Sequence, residues 1–182
     1  MSHGQPTTET DAQLSQPAGA AAVGAGGDDT LATVLGRIPS GLFVVTWRES
    51  GHDRGMLASW VMQAGFQPPT ITVAVGTSRG LLAALGDRTP FVVNVLGESQ
   101  RPLLARFGRP AGPGDDPFAG LAVNRAPCGA AAIADAVGWL ECHATARVDV
   151  GDHAVVVATV MAAGAGSGAA PLVHLRRNGL RY

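Results

Sequence analysis

Apolar side chains along this chain fall into short runs, and the spacing inside each run predicts an element. In TLATVLGRIPSG, residues 30 to 41, they stand at 31, 34, 35 and 38, the period of a helix. Thr30 is placed to cap that helix and Pro39 to stop it. LFVVTW, 42 to 47, predicts a strand. The polar stretch RESGHDRG after it carries two glycines, so a second strand, 55 to 63, returns as a hairpin. TITVAV alternates strictly, with Ile71, Val73 and Val75 on one face and Thr70, Thr72 and Ala74 on the other. SRGLLAALGD predicts a short helix with Ser78 as N-cap and Gly86 at its end. PFVVNVL is a strand. SQRPLLARFG is a helix capped by Ser99, with Pro102 near its start, where proline is tolerated. Residues 108 to 120 predict a loop. Two longer strands, GWLECHATARVDV and HAVVVATVMAA, meet at a Gly-Asp turn, and PLVHLRR is a last short strand.

This gives six or seven strands with only short helices between them. Regular βα alternation is missing and no GxGxxG follows a strand, which argues against a dinucleotide-binding α/β domain and for a closed or partly open β-barrel.

Residues 1–29 differ in kind. They hold almost no large apolar side chain and are rich in Gly, Ala, Pro, Thr and Gln, so a disordered tail is expected there and one domain over 30–182. The tail has neither the basic nor the apolar region of a secretory signal, and no stretch is long and apolar enough to span a membrane, so a cytoplasmic location is expected. A formal net charge of -1, with 13 basic residues that are all scattered arginines, gives no reason to expect a nucleic-acid partner. Cys128 and Cys142 have no metal-ligand or CxxC spacing and read as free thiols. The histidines at 3, 52, 143, 153 and 174 are not spaced as metal ligands, and no metal is expected. HExxH, Walker and paired-carboxylate patterns are missing too. Any demanding chemistry is therefore expected to belong to an organic cofactor.

One stretch stands out: GMLASWVMQAGFQPP, residues 55 to 69, where Ser59 and Gln63 sit among apolar neighbours before a double proline. Spacing alone leaves them as edge-strand polar residues. The order of SGLFVVT, ASWVMQAGFQPP, FVVNVL, PLLARFG, LECHATARVDVGDH and the closing Arg-x-x-Gly-x-x-Tyr resembles the flavin reductase-like family, the FMN-binding split barrel. Within it the chain looks most like the flavin reductase module of flavodiiron proteins. The resemblance covers about residues 30 to 182 and implies a mainly β, Greek-key split barrel of six to seven strands.

It also implies a site. Met56, Leu57, Ala58, Ser59, Trp60, Met62 and Gln63 would line the flavin ring and ribityl chain, small Ala58 letting the ring approach the backbone. Thr77, Ser78 and Arg79, where a strand gives way to a helix, would meet the flavin phosphate; an ordinary helix cap is the alternative. Phe107 and Gly108 match positions near the cofactor, Phe107 being equally readable as core. His153, after the Gly-Asp turn, would lie by the nicotinamide of a bound hydride donor. One departure is Ala158, where family members often carry glycine five residues after this histidine. Glu141 and Asn94, polar groups within apolar strands, are expected to satisfy backbone or cross-subunit hydrogen bonds.

The expected activity is hydride transfer from NADH or NADPH to FMN, with FAD as a second candidate, in a homodimer that passes electrons to free flavin, oxygen, ferric iron or a partner such as an oxygenase. Two other readings stay open: an electron-transfer protein that keeps its FMN and needs a separate reductase, and a non-catalytic barrel that holds haem or a deazaflavin.

Overall fold

The computed structural model describes residues 25–86, 88–112 and 115–180, with residues 25–28 described through their backbone alone. In chain order they form α1 (Ala25–Gly36), β1 (Ser40–Gly41), β2 (Phe43–Glu49), β3 (His52–Ala58), β4 (Val61–Phe66), β5 (Pro69–Gly76), α2 (Gly80–Gly86), β6 (Phe91–Val95), α3 (Pro102–Phe107), β7 (Val123–Arg125), β8 (Ala131–Ile133), β9 (Gly138–Val150), β10 (His153–Ala165) and β11 (Val173–His174). Seven of these strands make one antiparallel sheet in the order β3-β2-β6-β9-β10-β5-β4. The pairs β1–β11 and β7–β8 stand apart from it.

The order of that sheet dictates its shape. β3 and β4 are its two edges, yet only Ser59 and Trp60 separate them in sequence. Laid flat, six strand spacings of about 4.8 Å would put those edges roughly 29 Å apart. Three consecutive Cα–Cα steps of about 3.8 Å span at most about 11 Å. The sheet must therefore roll up until its edges nearly meet. They do not pair with each other. Instead the Trp60 carbonyl accepts the Ala74 amide at 2.9 Å, and a split remains along the barrel wall where the chain crosses.

The roll has two faces, and the central strands bury both. Val45, Trp47, Ile71, Val73, Val75, Phe91, Val93, Ala154 and Val156 point into the barrel, where Leu81 and Leu82 of α2 join them. Val44 faces outward into a second core with Leu42, Leu96, Leu103, Phe107, Phe118, Ala131, Ile133 and Leu172. Burial on both sides is why LFVV and FVV are continuous apolar runs, whereas β5, with one buried face, alternates. A buried polar staple fixes β8 to the outside of the sheet. Asn94 donates to the Val44 carbonyl (3.0 Å) and the Thr46 hydroxyl (3.4 Å), and its Oδ1 accepts the Ile133 amide (2.7 Å). The Thr46 hydroxyl donates to the Ala131 carbonyl (2.5 Å). Glu141 accepts the Cys128 amide (2.7 Å). Both polar groups thus bond the backbone of their own chain.

The structure corrects several local expectations. α1 begins at Ala25, so Thr30 lies inside the helix, and residues 25–29, expected in the tail, belong to it; residues 1–24 lie outside the described residues. The single strand expected over 55–63 is two strands, because the chain leaves one edge of the sheet at Ala58 and joins the other at Val61. α2 starts at Gly80, two residues beyond Ser78. α3 starts at Pro102 after a 3-10 turn over Glu98–Gln100, so Ser99 does not cap it; the Gln100 side chain holds the Gly97 amide instead (2.9 Å). The β7–β8 hairpin was unforeseen, being too short and alanine-rich to show a period. No described helix is long and apolar enough to cross a membrane.

The staple predicts a stability contrast. Asn94→Ala leaves the buried Ile133 amide without its acceptor and should cost about 2 kcal/mol or more in urea unfolding. Asn124→Ala, at an exposed position on β7, should stay within about 0.5 kcal/mol of wild type.

Candidate functional site

A cleft of about 530 Å³, within the usual size of a small-molecule site, opens where the barrel wall splits. Three segments build it. The end of β3 and the crossing supply Met56, Leu57, Ala58 and Ser59; the end of β5 and the turn into α2 supply Ala74, Gly76, Thr77, Ser78 and Arg79; the β9–β10 hairpin supplies Asp152 and His153. Gly108, after α3, and His174 of β11 complete the lining.

The hairpin turn is held in place from both strands. Gly151 takes a positive φ of 69°, a conformation that favours glycine. The Asp152 carbonyl accepts both the amide (2.9 Å) and the hydroxyl (3.2 Å) of Thr77. His153, the first residue of β10, pairs with Gly76 on one side and Val150 on the other. Its Nδ1 lies 2.9 Å from the Asp152 carboxylate, and its side chain is only 12% exposed. That hydrogen bond, and then the charge of the ring, hold the Asp152 carboxyl below the usual carboxylate range. On the opposite side, Arg79 donates to the Gly108 carbonyl (3.0 Å), which ties the α2 turn to the end of α3.

The floor is small by construction. A Cβ at Gly76 would reach 3.8 Å from both Arg79 Cγ and His153 Nε2, filling the space between the arginine and the imidazole. A smaller cavity of about 200 Å³ adjoins the Arg79 end, bounded by Trp47, Glu49, Arg54 and Pro110. A third, of about 540 Å³, lies beyond His153 and is walled by Trp60, Leu35, Ile38 and Arg176.

Nine of the residues expected at the site surround the cleft: Met56, Leu57, Ala58, Ser59, Thr77, Ser78, Arg79, Gly108 and His153. Trp60 stands behind His153, with ring centroids 5.0 Å apart, and lines the neighbouring cavity. Met62 and Gln63 do not reach the cleft, since β4 carries them onto the exposed outer edge. Phe107 is buried in the outer core against Phe118, 5.3 Å between rings. Ala158 is wholly buried inside the barrel opposite Ile71, so its methyl does not narrow the cleft. Asp152 and His174 were missed; adjacency to His153 signalled the first, and nothing local signalled the second. Burial pushes the thiols of Cys128 and Cys142 up, the latter to about 12, against thiolate chemistry. Among the described residues no group of three or more His, Cys, Asp or Glu side chains could hold a metal.

Residues 35–180 match the flavin reductase like domain. The chain belongs to that family. It is 40% identical over 152 residues to the putative diflavin flavoprotein A 3 of Nostoc sp. (strain PCC 7120), covering 81% of this chain and 26% of that protein. The chain thus spans about a quarter of the length of the curated relatives it matches. Among solved structures, the Streptomyces globisporus C-1027 NADH:FAD oxidoreductase SgcE6 superposes with a TM-score of 0.73 at 28% identity, covering 79% of this chain and 85% of that one. The same protein in complex with NAD and FAD fragments gives 0.71 at 27% identity, covering 82% and 87%. The neighbouring folds are split barrels, as the order of this sheet requires.

His174 predicts a pH effect on this domain. Burial first, and then the charge of Arg176, lower its pKa from the ordinary 6.5. The unfolded chain takes up that proton near 6.5 and the folded chain only at lower pH. The neutral ring's contribution is thus fully present above 6.5 and declines as pH falls through 6.5 and past the folded value. Melting temperatures between about pH 7.5 and 5 should fall less steeply in His174→Gln than in wild type. An unchanged slope would show that His174 titrates alike in both states.

Proposed function

We propose that this domain binds a flavin, FMN in the first instance, in the cleft between Ser59 and His153, and catalyses its reduction by NADH or NADPH. The observation that carries this reading is convergence. Three segments distant in sequence bring a small-residue floor, hydroxyls with a guanidinium, and a largely buried imidazole to one cleft. SgcE6, an NADH:FAD oxidoreductase whose complex contains NAD and FAD fragments, supports the same pairing of ligands and keeps FAD as a second candidate.

The residues present fit such a ligand. A planar apolar ring needs a narrow slot without projecting side chains, and Ala58, Ala74 and Gly76 leave one. A phosphate needs convergent donors, and the Ser78 hydroxyl and Arg79 guanidinium supply them at one end, beside Thr77, whose hydroxyl is bonded to the Asp152 carbonyl. When bound, the flavin supplies a two-electron acceptor for a hydride. The chain's own work is binding, orientation and exclusion of water. Ser59 and the backbone beside it hold the ring edge. His153, fixed by Asp152 and the β10 ladder, orients the hydride donor. No acid–base dyad is required, since proximity and orientation supply most of the rate gain.

We further propose a homodimer. Residues 143–150 of β9 are exposed on both faces and pair only with β10, leaving their other edge uncovered among the described residues. Met62 and Phe66 on β4 are exposed as well. A second copy would cover such surfaces. Free flavin, oxygen, ferric iron or a partner oxygenase are the proposed acceptors of the electrons.

Arg79→Ala should weaken FMN about tenfold or more while changing riboflavin, which lacks the phosphate, far less. Fluorescence titrations with both ligands measure this, and equal losses would remove Arg79 from the phosphate end. His153→Ala should bind FMN like wild type yet slow its anaerobic reduction by NAD(P)H by up to about a hundredfold, whereas Ser59→Val should damage flavin binding first. Stopped-flow reduction at saturating FMN separates the two. Wild-type reduction by His153→Ala, with unchanged half-saturation, would refute its role.

A further inference from the structure

His153 is braced from behind by a stack that begins at the far end of the chain. The Arg176 guanidinium carbon lies 4.5 Å from the centroid of the Trp60 ring, and the Trp60 ring lies 5.0 Å from that of His153, tilted by 53°. Beyond His153 Nδ1 comes the Asp152 carboxylate. Cation, indole, imidazole and carboxylate thus follow one another from the third cavity to the cleft.

The outer end of this stack is anchored by backbone. The Arg176 amide donates to the Gly36 carbonyl (3.0 Å), and the Gly179 amide to the Ala32 carbonyl (2.7 Å), so the segment after β11 is strapped along α1. The approach is too close for side chains. A Cβ at Gly179 would lie 2.2 Å from Leu35 Cβ, and one at Gly36 would lie 2.6 Å from the Arg176 carbonyl oxygen. β1–β11 pairing fixes the entry to the strap, through Ser40 opposite His174 and Gly41 opposite Val173. Trp60 is held by its own carbonyl on Ala74. The backbones of both outer members of the stack are therefore anchored by main-chain bonds, and the imidazole lies between the indole and the Asp152 carboxylate.

We propose that Arg176 and Trp60 are positioning residues that set the orientation of His153, so that the strap formed by residues 175–180 governs how the hydride donor is held without itself touching the flavin. This rests on the reading of His153 given above. A cation over an indole is worth enough to change an orientation equilibrium by about threefold to tenfold, and a hydride-transfer geometry is sensitive to shifts of that kind.

The test uses the full chain and two readouts. The first, free of turnover, is the position of the His153 ring resonances in ¹H–¹⁵N spectra, identified by their loss in His153→Gln. In wild type the Trp60 ring current should displace them. Trp60→Leu should return them to ordinary histidine positions. Arg176→Met should move the same lines part of the way, and Arg176→Lys, which keeps the cation, should recover most of the displacement. Gly179→Ala, which alters no charge, should move them as Arg176→Met does. The second readout is anaerobic flavin reduction. Arg176→Met should raise the half-saturating NADH or NADPH concentration about threefold to tenfold, with FMN affinity unchanged and with recovery in Arg176→Lys. Wild-type His153 lines in folded Arg176→Met, or in Gly179→Ala if the methionine variant does not fold, would overturn the proposal. If the lines move as expected but the wild-type protein does not reduce flavin with either nucleotide, the positioning stands and the reading of the site's activity fails.

Discussion

A two-residue link is the constraint on which this structure depends. Because Ser59 and Trp60 alone join the two edges of a seven-stranded sheet, the sheet has no option but to roll, and the place where it fails to close is the place where those two residues stand. The cleft is thus a geometric consequence of closing a barrel with a connection too short to add a further strand pair. It opens at the crossing, next to the end of β5, whose pairing with β10 brings the turn at Gly151–Asp152 and then His153 to the same rim. Fold and site share one cause, and a site built on paired strands is held more firmly than one built on loops.

Division of labour around the crossing follows from side-chain direction. Ser59 looks into the cleft, while Trp60, the next residue, stands on the far side of His153 and receives Arg176. The imidazole is therefore the partition between two cavities, one lined by small and hydroxylic residues and the other by Leu35, Ile38, Val155 and Leu180. A partition that is only 12% exposed and bonded to a carboxylate has little freedom of its own, which suits the proposed role of orienting a second ligand over a first.

Much of this was legible in the sequence where a single period dominates. β5 reads correctly because only one of its faces is buried, and β9 and β10 because Gly-Asp punctuates two long apolar-rich runs. The crossing was misread as the middle of one strand over 55–63, since local pattern cannot show that consecutive residues serve opposite edges of a sheet. Met62 and Gln63, which the resemblance puts with the cofactor, lie on exposed β4 outside the cleft of this chain, a placement that follows from the same crossing. The start of α1 was hidden because Ala25–Asp29 holds no large apolar residue to set a period. His174 and Arg176 reach the site only through the β1–β11 pair and the contact with α1, long-range pairings that no local signal encodes.

The central claim is that the cleft beside Ser59 and His153 places a flavin for direct hydride transfer. Anaerobic mixing of the FMN-loaded protein with NADH, or NADPH, carrying deuterium at the transferring C4 position tests it most directly. Bleaching of the flavin absorbance in a single exponential, slowed by the deuterium and saturating with nucleotide concentration, is the predicted result. Failure of the protein to bind FMN, or bleaching that neither saturates nor responds to deuterium, would contradict the account.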